Sequence, residues 1–288
     1  MRAKNTWILN AMLLVSNVSR STEILRCRRE TNNWLTITLA YLRLKKLDFP
    51  FQLYLRSGEE LTLAEPIDVV IFWLVFVRRH YPVNVSDHLI VDVGANIGVF
   101  TLYAARQAPR ARIIAIEPFP ETCDRLRNHV EENHLTDRVT VLDCAIAPER
   151  GWGEMDSAEG IPSVYRRVHS ECTATLNARH RGIAALDQLP GVPVQKGTLA
   201  DIVELTDGGA VDLMKMNIHG NEYAVLMNTP TNVLVHFRRI EVQYHELPAA
   251  ANMGKTQLFS NLGKSGFHLI SDQDTGRGSG LAVLSIQG

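Results

Sequence analysis

The chain has 288 residues, of which 45% are hydrophobic and 21% are charged, as is typical of a globular protein with an apolar core. The formal net charge of −1 excludes a bulk positive field that would attract nucleic acid, so we expect no nucleic-acid partner. The four cysteines, at positions 27, 123, 144 and 172, form no Cys-x-x-Cys pair, which argues against a zinc knuckle or a disulfide framework and favours a reducing cytoplasm.

Residues 1–82 are predicted to form a helical and hairpin extension. The patterns indicate helices over 5–18 and 21–47, a hairpin over 51–63 and a helix over 67–79 that begins after Pro66. Residues 1–48 hold nine Lys or Arg against three Asp or Glu, which is typical of a solvated helix face. A contact with an acidic partner, an anionic membrane surface or a second copy of the chain stays open. No segment approaches the ~20 apolar residues of a membrane span.

The most informative stretch is a short apolar strand, 89–93, followed by a glycine turn and a helix over 97–107. This order places backbone N–H groups against a bound nucleotide in α/β folds. The spacing Gly94-x-Asn96-x-Gly98 is not the dinucleotide pattern, because Asn96 stands near the glycine that lets backbone approach a pyrophosphate. Asp92 would repel phosphate but suits an amino group or a positive charge. S-adenosylmethionine has both and carries no phosphate.

The next strand, 112–116, ends at Glu117, Pro118 and Phe119. Glu117 follows Gly98 by 19 residues, where a carboxylate at a strand end accepts hydrogen bonds from ribose hydroxyls. The ring of Phe119 is expected either against the adenine or ribose or in the core. The combination of glycine turn, Asp92 and Glu117 indicates a nucleoside site.

Strands and helices alternate through the rest of the chain, which predicts a mostly parallel sheet in a domain over 83–288. The interval 151–190 is polar and irregular, and we interpret it as an acceptor lid or a surface loop. Within it, Arg166 and Arg167 favour an acceptor that carries a carboxylate or phosphate. The remaining predicted elements are helices 120–133, 198–206, 221–227 and 254–265 and strands 138–142, 211–217, 237–243, 267–271 and 281–286.

Two stretches carry a resemblance to a known family. Residues 91–98 and the segments 198–201 and 211–222 resemble the motifs of the FkbM family of class I S-adenosylmethionine-dependent methyltransferases, and the resemblance covers roughly residues 50–288. It implies a Rossmann-like seven-stranded α/β sheet with helices on both faces, S-adenosylmethionine as the cofactor, and a hydroxyl of a sugar or secondary metabolite as the acceptor. The residues expected to bind the cofactor are Asp92, Gly94, Asn96, Gly98, Glu117, Pro118, Phe119, Asp143, Cys144 and Asn217.

The candidate catalytic residues are Lys215, His219 and His245. The family usually has Asp and Glu where this chain has Asn217 and His219, and an Asn and a His make a poor site for a hard cation, so no metal is expected. A neutral imidazole is a general base near pH 7, and His219 is our first candidate for that role. His245 is the second, with a carboxylate such as Glu241 to orient its ring.

Three other functions stay open. The same fold could methylate an amine or a side chain of a protein or nucleic acid. The chain could also bind the cofactor as a catalytically silent partner, because it departs from the family at Asn217 and His219. An NAD-dependent dehydrogenase is disfavoured by the glycine spacing.

Overall fold

A computed structural model describes residues 18–156, 191–245, 254–275 and 279–286. The chain divides into two compact units, Met1–Pro82 and Val83–Gly288. Most of helix 5–18 and the interval 157–190, with Arg166 and Arg167, lie outside the described residues. No helix among those described is both long enough and apolar enough to cross a membrane.

The first unit contains helices α1 (Val18–Glu30) and α2 (Trp34–Tyr41), where the sequence predicted one helix over 21–47. The prediction was wrong because Thr31 leaves the helix to meet the hairpin. Its hydroxyl donates to the Tyr54 carbonyl (2.7 Å) and accepts the Asn33 N–H (3.1 Å). A long-range contact therefore ends α1 at Glu30, and the spacing of apolar residues along the sequence carries no signal for such a contact.

The hairpin is formed by β1 (Phe51–Tyr54) and β2 (Glu60–Leu63), which pair antiparallel near the predicted positions. Helix α3 (Pro66–Phe72) follows and continues as a π-helical turn over Trp73–Val77. Asp68 starts this helix by accepting the backbone N–H groups of Ala64 (2.7 Å) and Glu65 (3.0 Å).

The second unit is built on a seven-stranded sheet whose strand order is β11-β12-β10-β9-β3-β4-β5. Five strands are parallel, and the last two form an antiparallel edge. The strands of this sheet are β3 (Leu89–Val93), β4 (Arg112–Ile116), β5 (Val139–Leu142), β9 (Leu213–Met216), β10 (Arg239–His245), β11 (Phe267–Asp274) and β12 (Ser279–Ile286). The predicted fold class, a Rossmann-like α/β sheet with an antiparallel hairpin edge, is confirmed.

Helices cover both faces of this sheet. Val91 and Val93 pack in one core with Tyr223 and Leu258, whereas Asp92, on the opposite face, bonds to Thr101. The helices are α4 (Val99–Gln107), α5 (Pro120–Glu132), α6 (Leu199–Leu205), α7 (Glu222–Asn228), α8 (Thr231–Leu234) and α9 (Lys255–Lys264).

A second, three-stranded sheet has the order β6-β8-β7. Its strands are β6 (Ala145–Ile146), β7 (Gly151–Asp156) and β8 (Gly191–Gly197). The first residues of the interval 151–190 are thus a strand and not an irregular loop. The sequence missed it because β7 and β8 carry glycines and a proline, which are depleted in strands.

The chain leaves β3 toward β4 on one side and later returns to β9 on the other side. The strand order therefore reverses at β3, and open α/β sheets bind ligands in the crevice at such a point, beyond the carboxyl ends of the strands.

Candidate functional site at the carboxyl edge of the sheet

The turn after β3 is packed directly against the end of β9. Gly94 has φ +76°, and a Cβ at this position would lie 2.2 Å from the Asn217 carbonyl oxygen. The N–H groups of Gly94 (3.0 Å) and Ala95 (2.9 Å) both donate to the Ile116 carbonyl of β4. Only glycine allows this approach, so the residue joins the ends of three strands.

The rest of the turn, through Gly98, is fixed by its own hydrogen bonds and by contacts with α5. Gly98 has φ +90° at the start of α4, and a Cβ there would lie 2.6 Å from Leu126 Cδ1. Asn96 has φ +52°, and its Oδ1 accepts the N–H of Ile97 (2.6 Å). The buried His129 of α5 contacts the Ile97 carbonyl through Nδ1 (2.6 Å). Backbone geometry thus fixes the turn formed by Gly94, Asn96 and Gly98, and their contact with a cofactor stays a prediction.

Asp92 and Lys215 form a buried ion pair under this turn. Lys215 Nζ donates to Asp92 Oδ1 (2.9 Å) and to the Gly94 carbonyl (2.8 Å), and the Thr101 hydroxyl donates to Asp92 Oδ2 (2.7 Å). The Asp92 side chain is 0% exposed and that of Lys215 is 6% exposed. The pair therefore positions the turn, and the expected roles of Asp92 in cofactor binding and of Lys215 in catalysis stay predictions.

Glu117 connects the ends of β3 and β4. Its Oε2 accepts the N–H of Asn96 (2.9 Å) and its Oε1 accepts the N–H of Phe119 (3.1 Å). Burial raises the pKa of this carboxyl to about 7, although the two N–H donors and the charge of Lys215 lower it. Glu117 is thus a buried acceptor beside the glycine turn, and its bond to ribose hydroxyls stays a prediction.

Four other expected cofactor residues lie beside Glu117 or follow β5. Phe119 packs in a core cluster with Ala145, Met155 and Val194, and a contact of its ring with the cofactor stays a prediction. Pro118 is half-buried just before it.

Asp143 and Cys144 follow β5, where an adenine contact is expected. Asp143 is exposed and pairs with Arg127 Nη2 (3.0 Å), while Cys144 is half-buried and burial raises the pKa of its thiol to about 11. A thiol with this pKa stays protonated at neutral pH, and the adenine contact of either residue stays a prediction.

Asn217 lies between the glycine turn and the histidines. Its backbone N–H donates to the Val93 carbonyl (3.1 Å), which fixes it to the end of β3. Its Oδ1 is buried and has no hydrogen-bond partner among the described residues. A buried acceptor without a donor is costly, so this oxygen suits a ligand that brings N–H groups.

The two histidines meet over a buried carboxylate. The rings of His219 and His245 lie 4.9 Å apart between centroids, and Glu222 Oε1 is 3.2 Å from His245 Nδ1. Glu222 also accepts the N–H groups of Ile218 (2.8 Å) and Gly220 (2.6 Å). Burial acts to raise the pKa of Glu222, but the bond from His245 and the charges of both imidazoles outweigh it and leave that pKa below its ordinary value.

The carboxylate that orients His245 is therefore Glu222 and not Glu241. Glu241 is buried on the strand before His245, and its Oε1 accepts a bond from Arg239 Nε (3.3 Å). Sequence reasoning assigned no role to Glu222, although a Glu in the first turn of a predicted helix is a signal for bonds to turn N–H groups. No group of three ligating side chains that could hold a metal ion occurs in the described ranges.

Comparison with known proteins relates this edge to one family. The model of the methyltransferase FkbM domain matches residues 92–262, which include the glycine turn, Glu117 and both histidines. Methyltransferase sdnD of Sordaria araneosa is 28% identical over 202 residues, covering 65% of this chain and 76% of that protein. The 31-O-demethyl-FK506 methyltransferase FkbM of Streptomyces tacrolimicus is 25% identical over 200 residues, covering 65% and 75%.

Among solved structures, an O-methyltransferase family protein from Burkholderia thailandensis matches with a TM-score of 0.42 and 11% identity. The match covers 77% of this chain and 59% of that one, so this chain spans less than two thirds of that structure.

Proposed function

The chain belongs to the FkbM methyltransferase family, and we propose that it uses S-adenosylmethionine to methylate a hydroxyl group of a small molecule. The observation that carries the proposal is the order of groups along one edge of the sheet. Glu117 lies at the end of β4 and the glycine turn at the end of β3. The Oδ1 of Asn217, which has no partner in the described part of the chain, follows β9, and the two imidazoles lie at the ends of β9 and β10.

The residues present fit this cofactor. Glu117 offers carboxylate oxygens to the ribose hydroxyls, Gly94 and Gly98 keep the turn free of side chains, and the Asn217 Oδ1 suits the amino group of the methionine moiety. When bound, the cofactor supplies an electrophilic methyl group on a sulfonium centre. The protein then has to hold the acceptor in line with this group and receive the acceptor's proton.

The imidazoles favour a hydroxyl acceptor. An alkyl hydroxyl becomes a good nucleophile only as it loses its proton, and a neutral imidazole receives that proton near pH 7. Either His219 or His245 can take this role at the edge where the acceptor must stand. The name of the Streptomyces tacrolimicus relative, 31-O-demethyl-FK506 methyltransferase, describes an O-methyl transfer, which agrees with this acceptor class.

Calorimetry tests the cofactor part of the proposal. The protein should bind S-adenosylhomocysteine and should not bind NAD. Replacing Glu117 with Ala should weaken binding by roughly 1.5–3 kcal/mol, since a charge-assisted bond to the ribose is lost. Glu121→Ala is the matched control, because Glu121 is an exposed carboxylate on α5 that pairs with Arg125 in the same helix. Binding of NAD alone would refute the proposal.

Mass spectrometry tests the acceptor part. The purified protein, S-adenosylmethionine and a pool of hydroxylated metabolites should yield one product that has gained a methyl group on oxygen. A product methylated on nitrogen or on a macromolecule would replace the hydroxyl acceptor by that class. Cofactor binding without any product would indicate a catalytically silent partner protein.

A further inference from the structure

We propose that Glu222 and His245 form a carboxylate–imidazole pair in which Glu222 positions the ring and His245 Nε2 receives the proton of the acceptor hydroxyl. The inference rests on the proposed function for its chemistry. It changes the assignment of the base from His219, the first candidate from the sequence, to His245.

Glu222 is placed as a fixed acceptor. It is the first residue of α7, it is fully buried, and both of its oxygens accept backbone N–H groups of the turn over 218–220. These bonds hold the carboxylate still while its Oε1 faces His245 Nδ1 at 3.2 Å. An ionised carboxylate only accepts hydrogen bonds, so Nδ1 must carry the proton in this contact.

The tautomer follows from that contact. With the proton on Nδ1, Nε2 of a neutral His245 has a free lone pair and can accept a proton. The His245 side chain is 26% exposed, so a solute can reach the ring. The titratable groups that face this ring within the described ranges are Glu222 of α7 and His219 of the turn after β9.

The proposed reaction is a displacement at the methyl carbon of the cofactor. The acceptor oxygen forms the new O–C bond as the C–S bond breaks, and the bonding electron pair stays on sulfur. The hydroxyl proton passes to His245 Nε2, and the imidazolium that forms is stabilised by the Glu222 carboxylate on its other nitrogen. This is the chemistry of a base oriented by a third group.

Nuclear magnetic resonance tests the pair without any acceptor. In the full chain labelled with ¹⁵N-histidine at pH 8, His245 should be the tautomer with the proton on Nδ1. Its signals are identified by their loss in His245→Gln. Glu222→Gln should release this preference, whereas Glu121→Gln, an exposed control, should leave it unchanged. A proton on Nε2 in the wild-type protein would overturn the proposal, whether or not the chain is an O-methyltransferase.

Kinetics with the hydroxyl acceptor that the wild type methylates tests the base. His245→Gln should lower kcat by about 10²–10⁴-fold, and S-adenosylhomocysteine affinity should change by less than about twofold. Glu222→Gln should also lower kcat, and it should move the acid limb of the kcat profile to lower pH, because a neutral side chain no longer favours the imidazolium. A purely structural role for Glu222 would not move this limb.

Two comparisons complete the test. Glu222→Asp keeps the charge and should keep the acid limb near its wild-type position, even where Glu222→Gln folds poorly. His219→Gln should retain most of kcat. An active His245→Gln beside an inactive His219→Gln would overturn the assignment of the base and leave the proposed function intact. A wild type that methylates no hydroxyl would refute the proposed function itself, while the tautomer result would still stand.

Discussion

Glu117 and Glu222 are two buried carboxylates at the carboxyl edge of the same sheet, and each accepts two backbone N–H groups of a turn. Their pKa values nevertheless shift in opposite directions. Burial raises the pKa of Glu117 to about 7, whereas the imidazoles of His245 and His219 overcome the same effect at Glu222 and lower its pKa. Burial and backbone bonds are thus alike at the two sites, and contact with an imidazole makes the difference.

The difference separates two tasks. Glu222 has its positive partner within the protein at 3.2 Å, so its charge is committed to orienting His245. Lys215, whose charge acts on Glu117, is committed to Asp92 and the Gly94 carbonyl. Glu117 therefore gains a favourable partner when a ligand brings hydroxyl donors and a positive charge. We expect Glu117 to respond to the cofactor and Glu222 to respond to the acceptor.

The largest effect is predicted for removal of Lys215, the cation on the Glu117 side of the edge. Lys215→Met leaves Asp92 buried without its partner and should destabilise the protein by about 3–5 kcal/mol, measured by urea unfolding. The matched control is Arg238→Met, which breaks an exposed pair with Asp212 and should cost about 1 kcal/mol or less. Equal costs would show that the Asp92–Lys215 pair does not support the turn.

The second prediction concerns the contact between the ends of β3 and β9, which joins the Glu117 side of the edge to the Glu222 side. Gly94→Ala adds a Cβ that would lie 2.2 Å from the Asn217 carbonyl, so it should separate the ends of β3 and β9. Gly208→Ala is the matched control, because Gly208 has a similar φ of +72° and no neighbour within 4 Å of the added atom. Unfolding should show a cost of about 1–2 kcal/mol for the control and about 1–3 kcal/mol more for Gly94→Ala.

The third prediction sharpens the contrast in pKa. In the role proposed for Glu117, its ionised form binds the ribose. Affinity for S-adenosylhomocysteine should therefore be about fivefold lower at pH 6 than at pH 7, given a pKa of about 7. Calorimetry in buffers of different ionisation enthalpy should detect proton release on binding. Glu117→Gln should remove this part of the pH dependence, and an unchanged profile in that variant would assign it to another group.

The same shift has a consequence for stability without ligand. The folded pKa of Glu117 lies above its reference value of 4.5, so its contribution to stability is fully present below pH 4.5 and is lost as the pH rises through 7. Glu222, with a lowered pKa, contributes stability above 4.5 that is lost as the pH falls further.

The smallest predicted effect is none at all. Near Glu222, Asn217 and His219 lie where two carboxylates would suit a hard cation. The charge of Glu222 is already balanced by imidazoles. Dialysis against EDTA should therefore leave turnover unchanged. Turnover that is lost and then restored by magnesium would refute the metal-free mechanism.

Sequence reasoning succeeded where a signal is local. The strand before Gly94, the glycine turn and the strand ending at Glu117 were all placed within a residue or two of their positions in the structure. It failed where a distant residue decides the outcome. Helix 21–47 is interrupted because Thr31 bonds to the hairpin, and β7 exists because it pairs with β8, across the interval 157–190.

The sequence by itself determined the fold class and the family, because apolar periodicity and glycine positions are properties of short segments that survive in the folded chain. The tertiary structure alone decided what the charged side chains do. Asp92 and Lys215 are 123 positions apart and Glu222 and His245 are 23 apart, yet strand pairing brings each pair into contact. Which charged side chains pair depends on which strands lie side by side and on the burial that makes an unpaired charge costly. Neither can be predicted from a short segment of sequence.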